Sequence, residues 1–164
     1  MRKQAWVLMI GFMLILALPG GARAASGWQL PLTKPVLVHQ FLQPNSDYSA
    51  GHRGVDLLAR AGQAVLASAD GVVSFVGKVV DRGVLTLSHE TLKTTYEPVC
   101  STITVGSKVV RGEQIGRICS PPAYRNHCQP RICLHFALRN STGYLSPLAI
   151  IGGLAPTRLR PRVS

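Results

Sequence analysis

The chain has 164 residues and carries 18 Lys and Arg against 7 Asp and Glu, a formal net charge of +11. A surface this basic favours anionic partners, although the charge can also serve solubility alone. No stretch interleaves basic with aromatic residues as nucleic-acid modules do, so we expect no nucleic-acid partner.

Residues 1–24 read as a signal peptide. Arg2 and Lys3 form a positive start, Ala5 to Leu18 is apolar, Pro19-Gly20-Gly21 breaks the run, and Ala22-Arg23-Ala24 offers a small-x-small cleavage site. The apolar run has 14 residues, short of the roughly 20 that a spanning helix needs. No later stretch is long and apolar enough to span. The expected mature protein is therefore secreted or associated with the cell wall, without a transmembrane segment. About 140 residues remain, one domain's worth, and we expect a monomer.

Residues 25–50 are rich in Pro, Gln, Ser and Asn and read as a lead-in with little regular pattern. Residues 51–152 read as one β domain, and 153–164 as a basic tail in which Arg158, Arg160 and Arg162 alternate with Leu and Pro. Within the domain the apolar pattern has a period of two. Val72 to Val76, Val84 to Ser88 and Thr102 to Val105 are short, β-branched and bounded by turn residues, which predicts strands. Asp70-Gly71, Asp81-Arg82-Gly83 and Arg111-Gly112-Glu113 supply the turns. The fold class is all-β, a small antiparallel sheet or sandwich. One helical turn is expected at Pro147 to Ile151, ending at Gly152-Gly153.

Cys100, Cys119, Cys128 and Cys133 make an even count in an exported chain, which favours disulfides. Three pairings are possible, and we favour Cys128 with Cys133 and Cys100 with Cys119.

Ile132 to Arg139 alternates cleanly. Ile132, Leu134, Phe136 and Leu138 fall on a core face, while Cys133, His135, Ala137 and Arg139 fall on the other. His135 thus stands on the polar side of a rigid element. In "GHRGVDL", Gly51 and Gly54 disfavour a helix, so a loop entering a strand at Val55-Asp56-Leu57 can aim His52 and Asp56 at one point. Taken singly, each of these residues is more often a solvated or hydrogen-bonded side chain than a ligand. Two imidazoles and one carboxylate together form a set that leaves zinc an open position for water.

The succession "GHRGVDL", "DGVVSFVG", "GVLTLSH", "TTYEPV", "VGSKVVRGEQIG" and "CLHFAL" resembles the lysostaphin-type, or LytM-like, zinc metallopeptidases, which cut peptides of bacterial peptidoglycan. The resemblance spans about residues 36 to 150. It implies a small antiparallel β domain, a zinc ion, peptidoglycan or another anionic cell-wall polymer as partner, and His52, Asp56 and His135 as ligands. The family's two helper histidines are missing, because Tyr-x-His becomes Tyr96-Glu97-Pro98 and His-x-His becomes Cys133-Leu134-His135. Proline has neither a titratable group nor an N–H. Candidate replacements are Glu97, which in a regular strand points away from Tyr96, and His127, in a Pro-rich loop beside Cys128. Cys133 itself can be half of a disulfide, a buried thiol or a fourth zinc ligand that closes the site. His89 reads as structural or as an outer partner of the site, and His39 as incidental. The expected function is an exported zinc metallopeptidase of reduced activity; the alternative is a non-catalytic domain that binds cell wall or regulates a hydrolase.

Overall fold

The computed structural model describes residues 27–46, 48–120 and 128–151. The expected signal peptide, basic tail and His127 lie outside the described residues.

Eleven strands and one short helix form the described chain. In order they are β1 Leu37–His39, β2 Val55–Ala59, β3 Ala64–Leu66, β4 Gly71–Val79, β5 Arg82–His89, β6 Leu92–Glu97, β7 Val99–Cys100, β8 Lys108–Val109, β9 Gln114–Ile118, β10 Ile132–Arg139, β11 Tyr144–Leu145 and α1 Pro147–Ile151. The larger sheet has eight strands, ordered β1-β2-β10-β6-β5-β4-β8 with β11 paired to β10; β3-β9-β7 make a smaller one. Every pairing is antiparallel. The all-β expectation holds.

Alternation along the strands explains the core. Val55, Phe136, Tyr96 and Leu85 lie in register across β2, β10, β6 and β5, and all four are fully buried. Leu57 and Leu134, also in register, extend the same apolar layer. Each such side chain contributes on the order of 1.5–3 kcal/mol by leaving water. The neighbouring residues of β2, β10 and β6 necessarily point to the opposite face, and that alternation puts the site on one side of the sheet.

The structure shifts three sequence expectations. Thr102 to Val105 is not a strand. There the Ser101 hydroxyl donates to Ile115 O at 2.6 Å and accepts Ile103 N–H at 3.1 Å, so a side chain takes hydrogen bonds that a ladder would use. The turn between β4 and β5 falls at Val80-Asp81, with Val80 at φ 59°, and Arg82 and Gly83 already belong to β5. Finally, the lead-in is not all irregular, since β1 lies within it and pairs with β2.

Both expected disulfides are present, Cys100–Cys119 and Cys128–Cys133. The first joins β7 to the end of β9; the second closes the loop that enters β10.

Candidate metal centre

His52 precedes β2 and is not on a helix. Its backbone N–H donates to Leu42 O at 2.8 Å and its carbonyl accepts Leu42 N–H at 3.0 Å, a two-bond bridge that anchors the loop. Gly51 permits that approach, because a Cβ there would lie 2.7 Å from Pro44 Cγ and 2.9 Å from Leu42 O. Gly54 then makes room for the other imidazole: a Cβ would stand 2.7 Å from His135 Nε2 and 2.5 Å from Phe136 O. The two glycines of "GHRGVDL" therefore serve close packing around the site.

Asp56 is the hub. It is completely buried, and its Oδ1 lies 2.9 Å from His135 Nδ1 and 3.2 Å from His52 Nε2, which are themselves 3.2 Å apart. His52 Nδ1 is 2.7 Å from Gln40 O. A carbonyl can only accept, so the proton sits on Nδ1 and Nε2 presents its lone pair to the cluster. Three donor atoms on a triangle with sides of 2.9–3.2 Å match ligands held about 2.0–2.1 Å from a tetrahedral zinc, which stand about 3.3 Å apart. A buried carboxylate also requires compensating positive charge, and a divalent cation supplies it. The donor set fits zinc on geometry and on chemistry.

The other carboxylate oxygen, Oδ2, is 2.8 Å from His39 Nδ1. His39 is thus not incidental; it holds Asp56 from the side away from His52 and His135. Sequence reading missed it because the contact depends on the pairing of β1 with β2. Cys128 Sγ lies 3.8 Å from the same oxygen, but a disulfide sulfur has no proton to donate and is no thiolate. His39, Asp56 and Cys128 accordingly form no second complete ligand set of the kind the first group makes.

Register explains how the site is assembled. His39 is opposite Asp56, Asp56 opposite His135, and His135 opposite Glu97, a row of four polar residues across β1, β2, β10 and β6. Directly opposed residues have Cβ atoms about 4.5–5.5 Å apart, so Glu97 is the immediate neighbour of His135 on the site face. Its Oε1 is 3.6 Å from Arg82 Nη1. Tyr96 turns into the core, as the expected alternation requires. Cys133, two residues before His135 on the same face, is bonded to Cys128, which removes its thiolate as a fourth ligand. Pro98 directly follows Glu97 and offers no proton-carrying group.

His89 is not brought to this site. It is buried at the end of β5, with Nδ1 2.7 Å from Asp70 O and Nε2 2.7 Å from Thr94 Oγ1. The Thr94 and Tyr96 hydroxyls are 2.9 Å apart, and Ser68 N–H reaches the Tyr96 oxygen at 3.2 Å. Desolvation lowers the His89 pKa below its usual value, opposed by the Asp70 carbonyl and the Asp70 charge. Burial pushes the Tyr96 phenol up, against hydrogen bonds from Ser68 and Thr94.

Comparison with known proteins agrees with the fold. The description Peptidase family M23 matches residues 50–147, and the chain belongs to that family. Peptidases of this family are typically zinc-dependent. An uncharacterized protein of Mycobacterium tuberculosis is 35% identical over 161 residues, covering 94% of this chain and 63% of its own length. The chain thus spans a little under two thirds of the curated relatives it matches. Among solved structures, lysostaphin from Staphylococcus simulans superposes with a TM-score of 0.64 at 19% identity, over 85% of this chain and 62% of that one. Helicobacter pylori Csd3 gives 0.62 at 23% identity, over 77% and 35%. SpoIIQ, solved in a pore-forming complex with SpoIIIAH, gives 0.59 at 19% identity, over 78% and 92%. At these identities the superpositions establish the shared fold.

Proposed function

We propose that this chain is an exported zinc metallopeptidase that cleaves peptides of bacterial peptidoglycan, with His52, Asp56 and His135 as its metal ligands. The observation that carries the reading is the convergence of His52 Nε2, Asp56 Oδ1 and His135 Nδ1 within 3.2 Å of one another. Bound there, zinc supplies a Lewis acid for the peptide carbonyl and lowers the pKa of a bound water to about 7.

The chain's own groups do the rest. Gln40 O and His39 fix the orientations of His52 and Asp56. Glu97, beside His135, accepts the proton of the attacking water and returns it to the leaving amine, with Arg82 steering its carboxylate. Neither Pro98 nor the disulfide-bonded Cys133 can carry a proton. A positioned base contributes about 10²–10⁴ in rate, so a carboxylate in a role usually filled by histidine gives a slow enzyme. Export belongs to the same proposal: the signal peptide ends at Ala24, and N-terminal sequencing of secreted protein should begin at Ala25.

The test is peptide release from purified cell walls by zinc-loaded protein. Glu97→Gln should lower kcat about 100-fold with zinc content unchanged. A second reading, a domain that binds cell wall or regulates a hydrolase without cutting, is favoured by Pro98 and by the sequestered Cys133. Zinc-loaded wild type that releases no peptide from any wall establishes that second reading.

A further inference from the structure

The face that carries the metal centre does not end at His135 and Asp56. Leu58 and Cys133, in register with one another, are the next residues on that face, two positions along β2 and β10. Leu58 is 38% exposed. Beyond them opens a groove of about 930 Å³ whose lining includes Lys34, Arg60, Arg131, Val36, Leu58 and Pro130. It is the mixture of charge and apolar surface that is informative. Among the described residues, no acidic one lines the groove. Among the described residues, no carboxylate lies within ion-pair distance of the side chains of Lys34, Arg60 or Arg131.

Three exposed like charges in one concavity repel one another, and nothing within the described fold offsets them. An anionic ligand does. The rest of the lining narrows the class. Among the described residues no aromatic side chain lines the groove, so they offer no stacking platform of the kind single-stranded nucleic acids use, whereas Val36, Leu58 and Pro130 suit small apolar side chains. We propose that this groove is a docking subsite for an acidic peptide, whose free carboxylates are held by Lys34, Arg60 and Arg131. Arg60 lies four residues beyond Asp56 and Arg131 four before His135, which at about 3.3 Å per residue is about 13 Å along the strands. A peptide laid along this face thus presents its acidic group about four residues from the bond that meets the metal centre. That spacing rests on the peptidase reading above; binding in the groove does not.

The experiment measures fluorescence anisotropy of a labelled five-residue peptide of alanine and glutamate, its glutamine counterpart, and a glycerol phosphodiester polymer as competitor. Wild type should bind the glutamate peptide at least tenfold more tightly than the glutamine peptide, and this preference should fall as salt rises. The combined variant Lys34→Gln, Arg60→Gln and Arg131→Gln should lose the preference while keeping its zinc content and thermal midpoint. Chelated wild type should bind as tightly as zinc-loaded wild type, so failure of the metallopeptidase reading leaves this result intact. Equal binding of the two peptides by wild type overturns the proposal, as does an undiminished preference in the combined variant. A phosphodiester polymer that displaces the peptide at lower charge concentration, and loses its own binding in the variant, also overturns it by assigning the groove to phosphate.

Discussion

Two histidine clusters in the larger sheet are built on opposite plans. His89 spends both ring nitrogens inside the fold, one on Asp70 O and one on the Thr94 hydroxyl. With the ring neutral, Nδ1–H donates to the carbonyl and Nε2 faces the Thr94 hydroxyl, which is itself hydrogen-bonded to Tyr96. Both ring nitrogens thus have partners within the fold. His52 spends one nitrogen on Gln40 O and aims the other at Asp56 Oδ1, where His135 Nδ1 also points. His52 Nε2 and Asp56 Oδ1 are both acceptors and stand 3.2 Å apart, a pairing that a bound cation satisfies. A buried histidine that closes its own hydrogen-bond chain is structural, whereas a partly buried one that keeps a lone pair directed at a buried carboxylate suits the ligand role proposed above.

Substitutions can break this contrast at either end. Gly54→Ala should have the largest effect, because the new Cβ collides with Phe136 O and the His135 ring together. We expect a loss of about 1–3 kcal/mol in stability along with most metal binding, read by chemical denaturation and by zinc titration. His89→Ala should cost about 1–3 kcal/mol, since it strands the Asp70 carbonyl and the Thr94 hydroxyl, yet it should leave zinc stoichiometry at the wild-type value.

The same histidine gives the contrast a pH signature. Its folded pKa lies below the unfolded value of 6.5, so the unfolded chain binds more protons as pH falls below about 6.5. The stability associated with neutral His89 is therefore present above that pH and declines below it, towards the folded pKa. Denaturation of chelated protein between pH 5 and 8, compared with His89→Ala, should show a smaller decline in the variant. His39→Ala should have the smallest effect. Outer partners of metal ligands contribute about 10–100-fold in affinity, and for this half-exposed ring we expect about tenfold weaker zinc binding, with full occupancy at saturating metal.

Much of this was legible from sequence where the information is local. The alternation of Ile132 to Arg139 gives β10 and places His135 on its polar face, and cysteine spacing favours, among three possible pairings, the one observed. The glycines around His52 rule out a helix. What was not legible depends on long-range pairing. The row from His39 through Asp56 and His135 to Glu97 exists only once β1, β2, β10 and β6 are in register, so His39 read as incidental and Glu97 could be assigned a face but no neighbour. Thr102 to Val105 misled because β-branched composition marks a strand only when a partner edge is available, and there the Ser101 side chain takes the backbone's hydrogen bonds.

The central claim is that His52, Asp56 and His135 hold one metal ion, and elemental analysis of purified protein after zinc loading and buffer exchange tests it most directly. The account predicts one zinc per chain in wild type and less than about a tenth of that in His135→Ala, with both disulfides intact in each. Wild type that retains no zinc, or a His135→Ala variant that retains as much as wild type, would contradict it.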